Sequence, residues 1–291
     1  MKIAIVVATL GRPTEVRELM LQLGAQTHPA SAIIISVTAA QDLPSELPND
    51  AQVVVGPKGL PAQCNRGIAK VPADCDLLAF LDDDYLPSIH ALAGMDTLFT
   101  RFPEVVGANG TLLADGINSA GIEYRDALAL LREHDARPPP FDPRVLNNTF
   151  GLYGCNMVYR TSAIRDTRFD EKLPLYAWQE DNDFAAQLLP RGHLIRTDAF
   201  AGVHRGVKGA RTSGVRFGYS QIVNPIYLSR KGTMPAWYAA TIVSRNLLAN
   251  HIRVLHPEPW VDRWGRLRGN WLGIRDVLMR RDDPRHILSL P

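Results

Sequence analysis

Leu77-Leu78-Ala79-Phe80-Leu81-Asp82-Asp83-Asp84-Tyr85-Leu86-Pro87 is the stretch that decides how this chain is read. Five consecutive apolar residues, Leu77–Leu81, predict a strand covered on both faces, as in a sheet flanked by helices. That strand ends in three adjacent carboxylates. In open α/β sheets, ligands sit just beyond the carboxyl ends of the strands. Three negative charges there repel one another unless a positive group lies among them. A hard divalent cation is the usual counter-ion, because it takes oxygen ligands and bridges protein to substrate phosphates. A solvated turn after a buried strand is the plainer alternative, and the triplet alone does not choose between them.

The flanking sequence favours the first reading. Ile3–Ala8 is an apolar run, and 13–23 carries Val16, Leu19, Met20 and Leu23 at helical spacing. Residues 33–37 and 53–55 read as strands rich in β-branched residues, and 61–69 reads as a helix. Strands alternating with helices predict an α/β fold with a doubly wound, mostly parallel central sheet. Further on, 105–113, 154–160 and 194–203 read as extended. The stretch 134–148, with Pro138, Pro139, Pro140 and Pro143, reads as a long loop, the usual form of a lid or binding segment. A helix is expected over 179–189, and helical spacing dominates 236–252 and 264–279.

The 291 residues suffice for one large domain with an appendage. Cys64, Cys75 and Cys155 are odd in number and match no metal or disulfide spacing, which points to a reducing compartment. No leader-like segment and no run of 18 apolar residues is present, so a cytoplasmic location is expected. The net charge of +2 hides an asymmetry. Residues 205–291 hold 15 Lys and Arg against 5 Asp and Glu, whereas 1–204 hold 17 against 25. This predicts a boundary near 204 between a catalytic part, 1–204, and a basic helical part, 205–291. The basic part suits an anionic surface, a phosphorylated acceptor or simply solvent.

A second acidic cluster occurs at Trp178-Gln179-Glu180-Asp181-Asn182-Asp183. Carboxylates in the first turn of a helix are favoured by its dipole. The functional alternative is a general base that takes a proton from a hydroxyl. Trp178 either stacks on a sugar or closes the core. His204 opens a basic, glycine-rich run, His204-Arg205-Gly206-Val207-Lys208-Gly209-Ala210-Arg211, suited to a loop over phosphates. A neutral imidazole there can complete a site begun by carboxylates.

Five segments in order resemble the family 2 inverting glycosyltransferases of the GT-A fold. They are Val7 to Pro13, Gly59 to Gly67, Phe80 to Pro87, Gly154 to Arg160 and Glu180 to Asp183, together spanning residues 1 to about 204. The resemblance implies a metal-dependent transfer of sugar from a nucleoside-diphosphate sugar to a hydroxyl, in bacterial surface polysaccharide or glycoconjugate synthesis. By the family pattern Asp82 faces the nucleoside and Asp84 binds Mn²⁺ or Mg²⁺, with Asp82 and His204 as further metal contacts; Asp83 can take either role. Asp181 is then the general base and Glu180 its companion. Thr9, Gly11, Arg12, Gly59, Asn65 and Arg66 line the nucleoside pocket, Arg205, Lys208 and Arg211 close over the diphosphate, and Trp178 and Asn156 face the acceptor. The family usually carries an aspartate pair after the second strand. Here Asp42 is the first acid after that strand, so reading of the nucleobase rests on it or is lost.

Two rivals remain: a sugar-nucleotide nucleotidyltransferase and a non-catalytic sugar-nucleotide binder. The first usually needs a glycine-rich Lys/Arg loop after the first strand, and only Leu10-Gly11-Arg12-Pro13 stands there. Trp260, Trp264 and Trp271 alternate with Arg263, Arg266, Arg268 and Arg275 near the C-terminus. These helices pack on the catalytic part, touch a membrane surface as a peripheral contact at its inner face, or join a homodimer. A lipid-linked or other saccharide acceptor would suit the second case. Nucleic-acid binding is not expected.

Overall fold

The computed structural model describes residues 1–47, 51–137, 142–209 and 213–291. It divides into two compact units, Met1–Lys58 with Ala62–Arg168 and Leu188–Ala210, and Gly59–Pro61 with Phe169–Gln187 and Arg211–Pro291. A boundary at 204, expected from the change of charge, does not coincide with this division. Residues 169–187 belong with the later helices because Lys231 donates to Asp170 at 2.8 Å and to Asp183 at 2.7 Å.

The first unit follows the order β1 (Ile3–Ala8), α1 (Pro13–Gly24), β2 (Ala32–Val37), β3 (Ala51–Val55), α2 (Leu60–Ile68, whose first two residues fall in the other unit), β4 (Leu77–Leu81), β5 (Tyr85–Pro87), α3 (Ala91–Arg101) and β6 (Val105–Asp115). Then come α4 (Tyr124–Asp135), β7 (Val145–Asn148), β8 (Asn156–Arg160), α5 (Thr161–Ile164) and β9 (His193–His204). Among the described residues nine strands form one sheet, β3-β2-β1-β4-β8-β6-β9-β5, with β7 beside β9. The expected α/β architecture with a helix-flanked sheet is present. Pairings β1–β2, β2–β3, β1–β4 and β6–β9 are parallel, and β4–β8, β6–β8, β5–β9 and β7–β9 antiparallel. The parallel character is therefore strongest in the N-terminal half, and the insertion of antiparallel β8 between β4 and β6 makes the sheet mixed.

Local chemistry accounts for these elements. All five residues of β4 are buried, as a strand covered on both faces requires. Helix α1 starts at Pro13, whose missing N–H costs nothing in a first turn, and buries Val16, Leu19, Met20 and Leu23. These pack with Ile3, Ile5, Val7, Ile33, Ile35 and Leu77 into the main core. The expected loop over 134–148 is only part loop: α4 runs to Asp135 and β7 adds an exposed strand to β9. Pro138, Pro139 and Pro140 lie outside the described residues.

The second unit holds α6 (Glu180–Ala186), α7 (Gly214–Lys231), α8 (Ala236–Arg253), α9 (Arg263–Leu278) and a closing 3₁₀ segment, Pro284–Ser289. Sequence periodicity does not reveal α7, because the polar Ser220, Gln221 and Asn224 are buried among its apolar residues Tyr219, Ile222, Val223 and Leu228, and Pro225 stands inside it. Those polar groups are satisfied. Gln221 donates to Asn246, Asn250 donates to Gln221 and Asn270, Arg263 donates to Asn250, and Asn270 donates to the Gly218 carbonyl, all at 2.7–2.9 Å. A fully paired network of this kind fixes one register of three helices. The backbones of α7 and α9 approach closely enough that a Cβ on Gly269 would strike the Val215 carbonyl.

Candidate functional site

Sheet register builds the candidate site in the first unit. Strand β9 ends at His204, which pairs with Tyr85 on one side and with Asp115 at the end of β6 on the other. Tyr85 follows directly on the acidic turn after β4. Adjacent strands lie roughly 4.8 Å apart, so Asp84, His204 and Asp115 are brought within side-chain reach. Asp82, Asp84 and His204 each offer one ligand atom, and these atoms lie within 4.8 Å of one another. The His204 Nε2 is 3.5 Å from Asp84 Oδ1 and 3.8 Å from Asp82 Oδ2. Its Nδ1 is 2.8 Å from Asp115 Oδ1, and the Tyr153 hydroxyl stands 3.3 Å from both Nδ1 and Asp115 Oδ2. Asp115 therefore orients the ring and leaves Nε2 facing Asp82 and Asp84.

The three aspartates have separate environments. Asp83 is buried beneath the first loop, accepting from the Thr9 hydroxyl at 2.7 Å and from the Arg12 guanidinium at 2.8 Å. Burial drives its carboxyl upward against the pull of Arg12, and the Asp84 charge adds to the rise. Asp84 is also buried, but its bond to His204, the charges of His204 and Arg12 and the Val207 N–H outweigh burial and hold it below the ordinary carboxylate range. Asp82 is the exposed member, its side chain 43% accessible. For His204, burial pulls the imidazole down, yet the bonds to Asp115 and Asp84 and the nearby carboxylate charges raise it to about 10. The ring thus joins Arg12 as a cation among these acids when no metal ion is bound, and a metal on Nε2 takes the place of its proton.

The remaining expected residues are placed as follows. Arg12 reaches past Asp83 to the carbonyls of Val207 and Gly209, at 3.0 and 2.9 Å. Gly206, with φ of 64°, turns the chain after His204 so that the Val207 N–H meets Asp84 Oδ2 at 2.7 Å. Asp42 accepts from the Gly11 and Thr38 N–H groups, the Thr38 hydroxyl and the Ala39 N–H, which binds its oxygens to two turns. Gln63, inside the segment expected to wall the nucleoside pocket, donates to the carbonyls of Thr9 and Ser36. Arg66 donates to the Pro57 carbonyl at 2.9 Å, and Asn65 is half-buried one residue earlier on α2. Gly59, at φ 144°, precedes that helix and belongs to the second unit.

Three expectations meet a different arrangement. Arg205, expected to close over a diphosphate, is buried and paired with Glu18, with its Nε donating to the Ile122 carbonyl. Lys208 directs its ammonium to the carbonyls of Gly116 and Ile117. Arg211 lies outside the described residues. Asn156, expected at an acceptor surface, is 1% exposed and bonds Asn109 and the Tyr85 hydroxyl within the sheet. Asp115, Tyr153 and Glu18 were not anticipated: strand register sets Asp115 beside His204, Tyr153 reaches His204 from a loop and Glu18 reaches Arg205 from α1, and no local motif announces them.

The second unit carries the other acidic cluster. Glu180, Asp181 and Asp183 occupy the first turn of α6. Asp183 is buried and accepts from the Lys231 ammonium at 2.7 Å and the Thr233 hydroxyl at 2.6 Å. Asp181 is half-buried and accepts from the Asn182 N–H. Leu175, Ala177 and Gln179 all have positive φ, at 60°, 55° and 81°. Non-glycine residues in that region cost energy and cluster at functional sites. The half-buried Trp178 lies on this strained approach, its carbonyl held by Asn224 and its ring 6.1 Å from Phe217.

No family model and no curated protein matches the chain. Solved structures do. TarS 1-349 of S. aureus in complex with UDP-GlcNAc superposes with a TM-score of 0.57 at 13% identity, over 99% of this chain and 88% of that one. TarS 1-349 in complex with UDP gives 0.53 at 13% identity, over 99% and 87%. Against a longer TarS chain the TM-score is 0.49 at 14% identity, covering 78% of this chain and 39% of that one. With nine strands in one helix-flanked sheet, a helical C-terminal part and this superposition, the protein has a GT-A-like fold, shared with TarS.

Proposed function

We propose that the protein is a metal-dependent inverting glycosyltransferase that moves a sugar from a uridine-diphosphate sugar to a hydroxyl of a saccharide or lipid-linked acceptor. The observation that carries the reading is the Asp82–Asp84–His204 group at the end of β4, in a fold shared with a protein solved with UDP-GlcNAc. Two carboxylates and one imidazole suit Mn²⁺ or Mg²⁺, with Asp115 fixing the imidazole as an outer partner. Such a cation supplies positive charge against the departing diphosphate.

The protein's own groups have the following roles in this reading. Arg12 and Thr9 hold Asp83, and through it the acidic turn, while Arg12 also fixes the segment after His204. Asp42 positions Gly11 and so the first loop. Asp181 takes the acceptor hydroxyl proton as that oxygen bonds to the anomeric carbon. The bond from this carbon to the diphosphate breaks on the opposite face, its electrons leaving with the nucleotide, and the configuration inverts. Glu180 accompanies Asp181, and Trp178 offers a ring for the acceptor sugar. The assignment of Asp181 is supported by the order of motifs along the chain.

Calorimetric titration with UDP, GDP and dTDP, each with and without Mn²⁺, tests the donor site. UDP binding that requires Mn²⁺, and is lost in Asp84→Ala, is expected. Equal binding without the metal overturns the cation's role, and no nucleotide binding overturns the function. Release of free UDP rather than pyrophosphate in turnover separates sugar transfer from nucleotidyl transfer.

A further inference from the structure

We propose that the outer faces of α8 and α9 dock on an anionic phospholipid bilayer. Trp237, Leu248 and Ile252 on α8 and Trp264, Trp271 and Leu278 on α9 are each between 55% and 79% exposed. Their spacing places each set on one helical face. The opposite faces are committed inward, through Ala239 and Asn250 on α8 and through Gly269, Asn270, Gly273 and Asp276 on α9. The two outer stripes adjoin where His251 meets Trp271 edge-on, with ring centres 5.7 Å apart. Large apolar side chains exposed together on neighbouring helices differ from the scattered single ones of an ordinary surface.

Charge selects the occupant. Residues 236–281 carry eight arginines and three acids, Glu258, Asp262 and Asp276. Every acid is engaged: Glu258 by Arg253 and Arg263, Asp262 by the Gly265 N–H at the start of α9, and Asp276 by Tyr219, His286 and Arg275. Arg245 and Arg268 lie exposed on the two helices, and among the described residues neither forms an ion pair. A second copy of this face would set arginine against arginine, which disfavours self-association. A bilayer of anionic lipid offers phosphates to the guanidinium groups and an acyl boundary to the Trp, Leu and Ile side chains. No helix among the described residues is long and apolar enough to cross it, so the contact is a surface one.

The test is sedimentation of the full chain with phosphatidylcholine vesicles, with and without phosphatidylglycerol, whose headgroups give the surface a negative potential. Binding to the anionic vesicles alone is expected, weakening as salt is raised. Arg245→Ala with Arg268→Ala should weaken it by about 30-fold, and Trp264→Ala with Trp271→Ala by about tenfold or more. Unchanged thermal melts and UDP titrations would show that both double variants are folded. No preference for anionic vesicles, a dimer dissolved by these substitutions, or binding to duplex DNA that outcompetes the vesicles would each overturn the proposal. Vesicle binding needs neither donor nor acceptor, so its failure leaves the proposed transfer reaction standing.

Discussion

The acidic turn after β4 and the acidic first turn of α6 look alike in sequence and are anchored by like means. In the first, Asp83 is buried against one cation and one hydroxyl, Arg12 and Thr9. In the second, Asp183 is buried against Lys231 and Thr233. One carboxylate of each cluster is thus bound into the fold, and the proposed roles fall on its neighbours: Asp82 and Asp84 with His204 in one, Asp181 in the other. The two differ in their counter-ions. His204 and Arg12 stand among the acids of the first cluster, an arrangement a metal ion can enter, whereas Lys231 ties the second to Asp170 and the helices around it.

The sharpest way to break this comparison is to exchange the roles. Asp181→Asn should lower sugar transfer by about 10²–10⁴-fold with UDP affinity unchanged, the range expected for loss of a general base. Near-normal turnover would remove Asp181 from catalysis. Asp115→Asn should weaken Mn²⁺ binding by about 10–100-fold, because His204 loses the partner that orients it. An unchanged metal titration would reduce Asp115 to a structural residue.

Asp183→Ala should leave UDP binding intact and cost about 1–3 kcal/mol in urea unfolding, since Thr233 and Lys231 lose a buried acceptor. Lys231 keeps Asp170, which limits the loss. The smallest effect is on pH dependence. Burial favours the neutral form of Asp170, but Lys231 and Tyr227 win and lower it from 3.8. A depressed carboxylate stabilises the fold above its unfolded value of 3.8, and that contribution vanishes as pH falls through the lower folded value. Thermal melts between pH 7 and pH 3 should therefore lose a little more stability in the native protein than in Lys231→Met, by under about 1 kcal/mol for a pair that solvent still reaches.

Local sequence was enough where a pattern has one reading. The buried run Leu77–Leu81, the helical spacing of Val16, Leu19, Met20 and Leu23, and the strand-ending triplet Asp82–Asp84 declared an α/β fold and the end of the sheet at which to look. His204 was legible as a candidate partner of that triplet. Helix α7 was not legible, because Ser220, Gln221 and Asn224 interrupt the apolar residues of its buried side, and Gln221 meets its partners Asn246 and Asn250 only once α8 is in place. Nor could sequence separate Asp83 from its neighbours, since the distinction comes from Arg12 and Thr9, over 70 positions away.

The sequence by itself determined the fold class and the identity of the acidic clusters, because hydrophobic periodicity and charge repulsion act within a few residues. Tertiary structure alone decided that Asp83 is held by Arg12 and Thr9 and Asp183 by Lys231 and Thr233, that Arg205 is a buried partner of Glu18, and that Asp115 orients His204. Those outcomes depend on strand register and burial, which join residues far apart in the chain and set the electrostatics of each one.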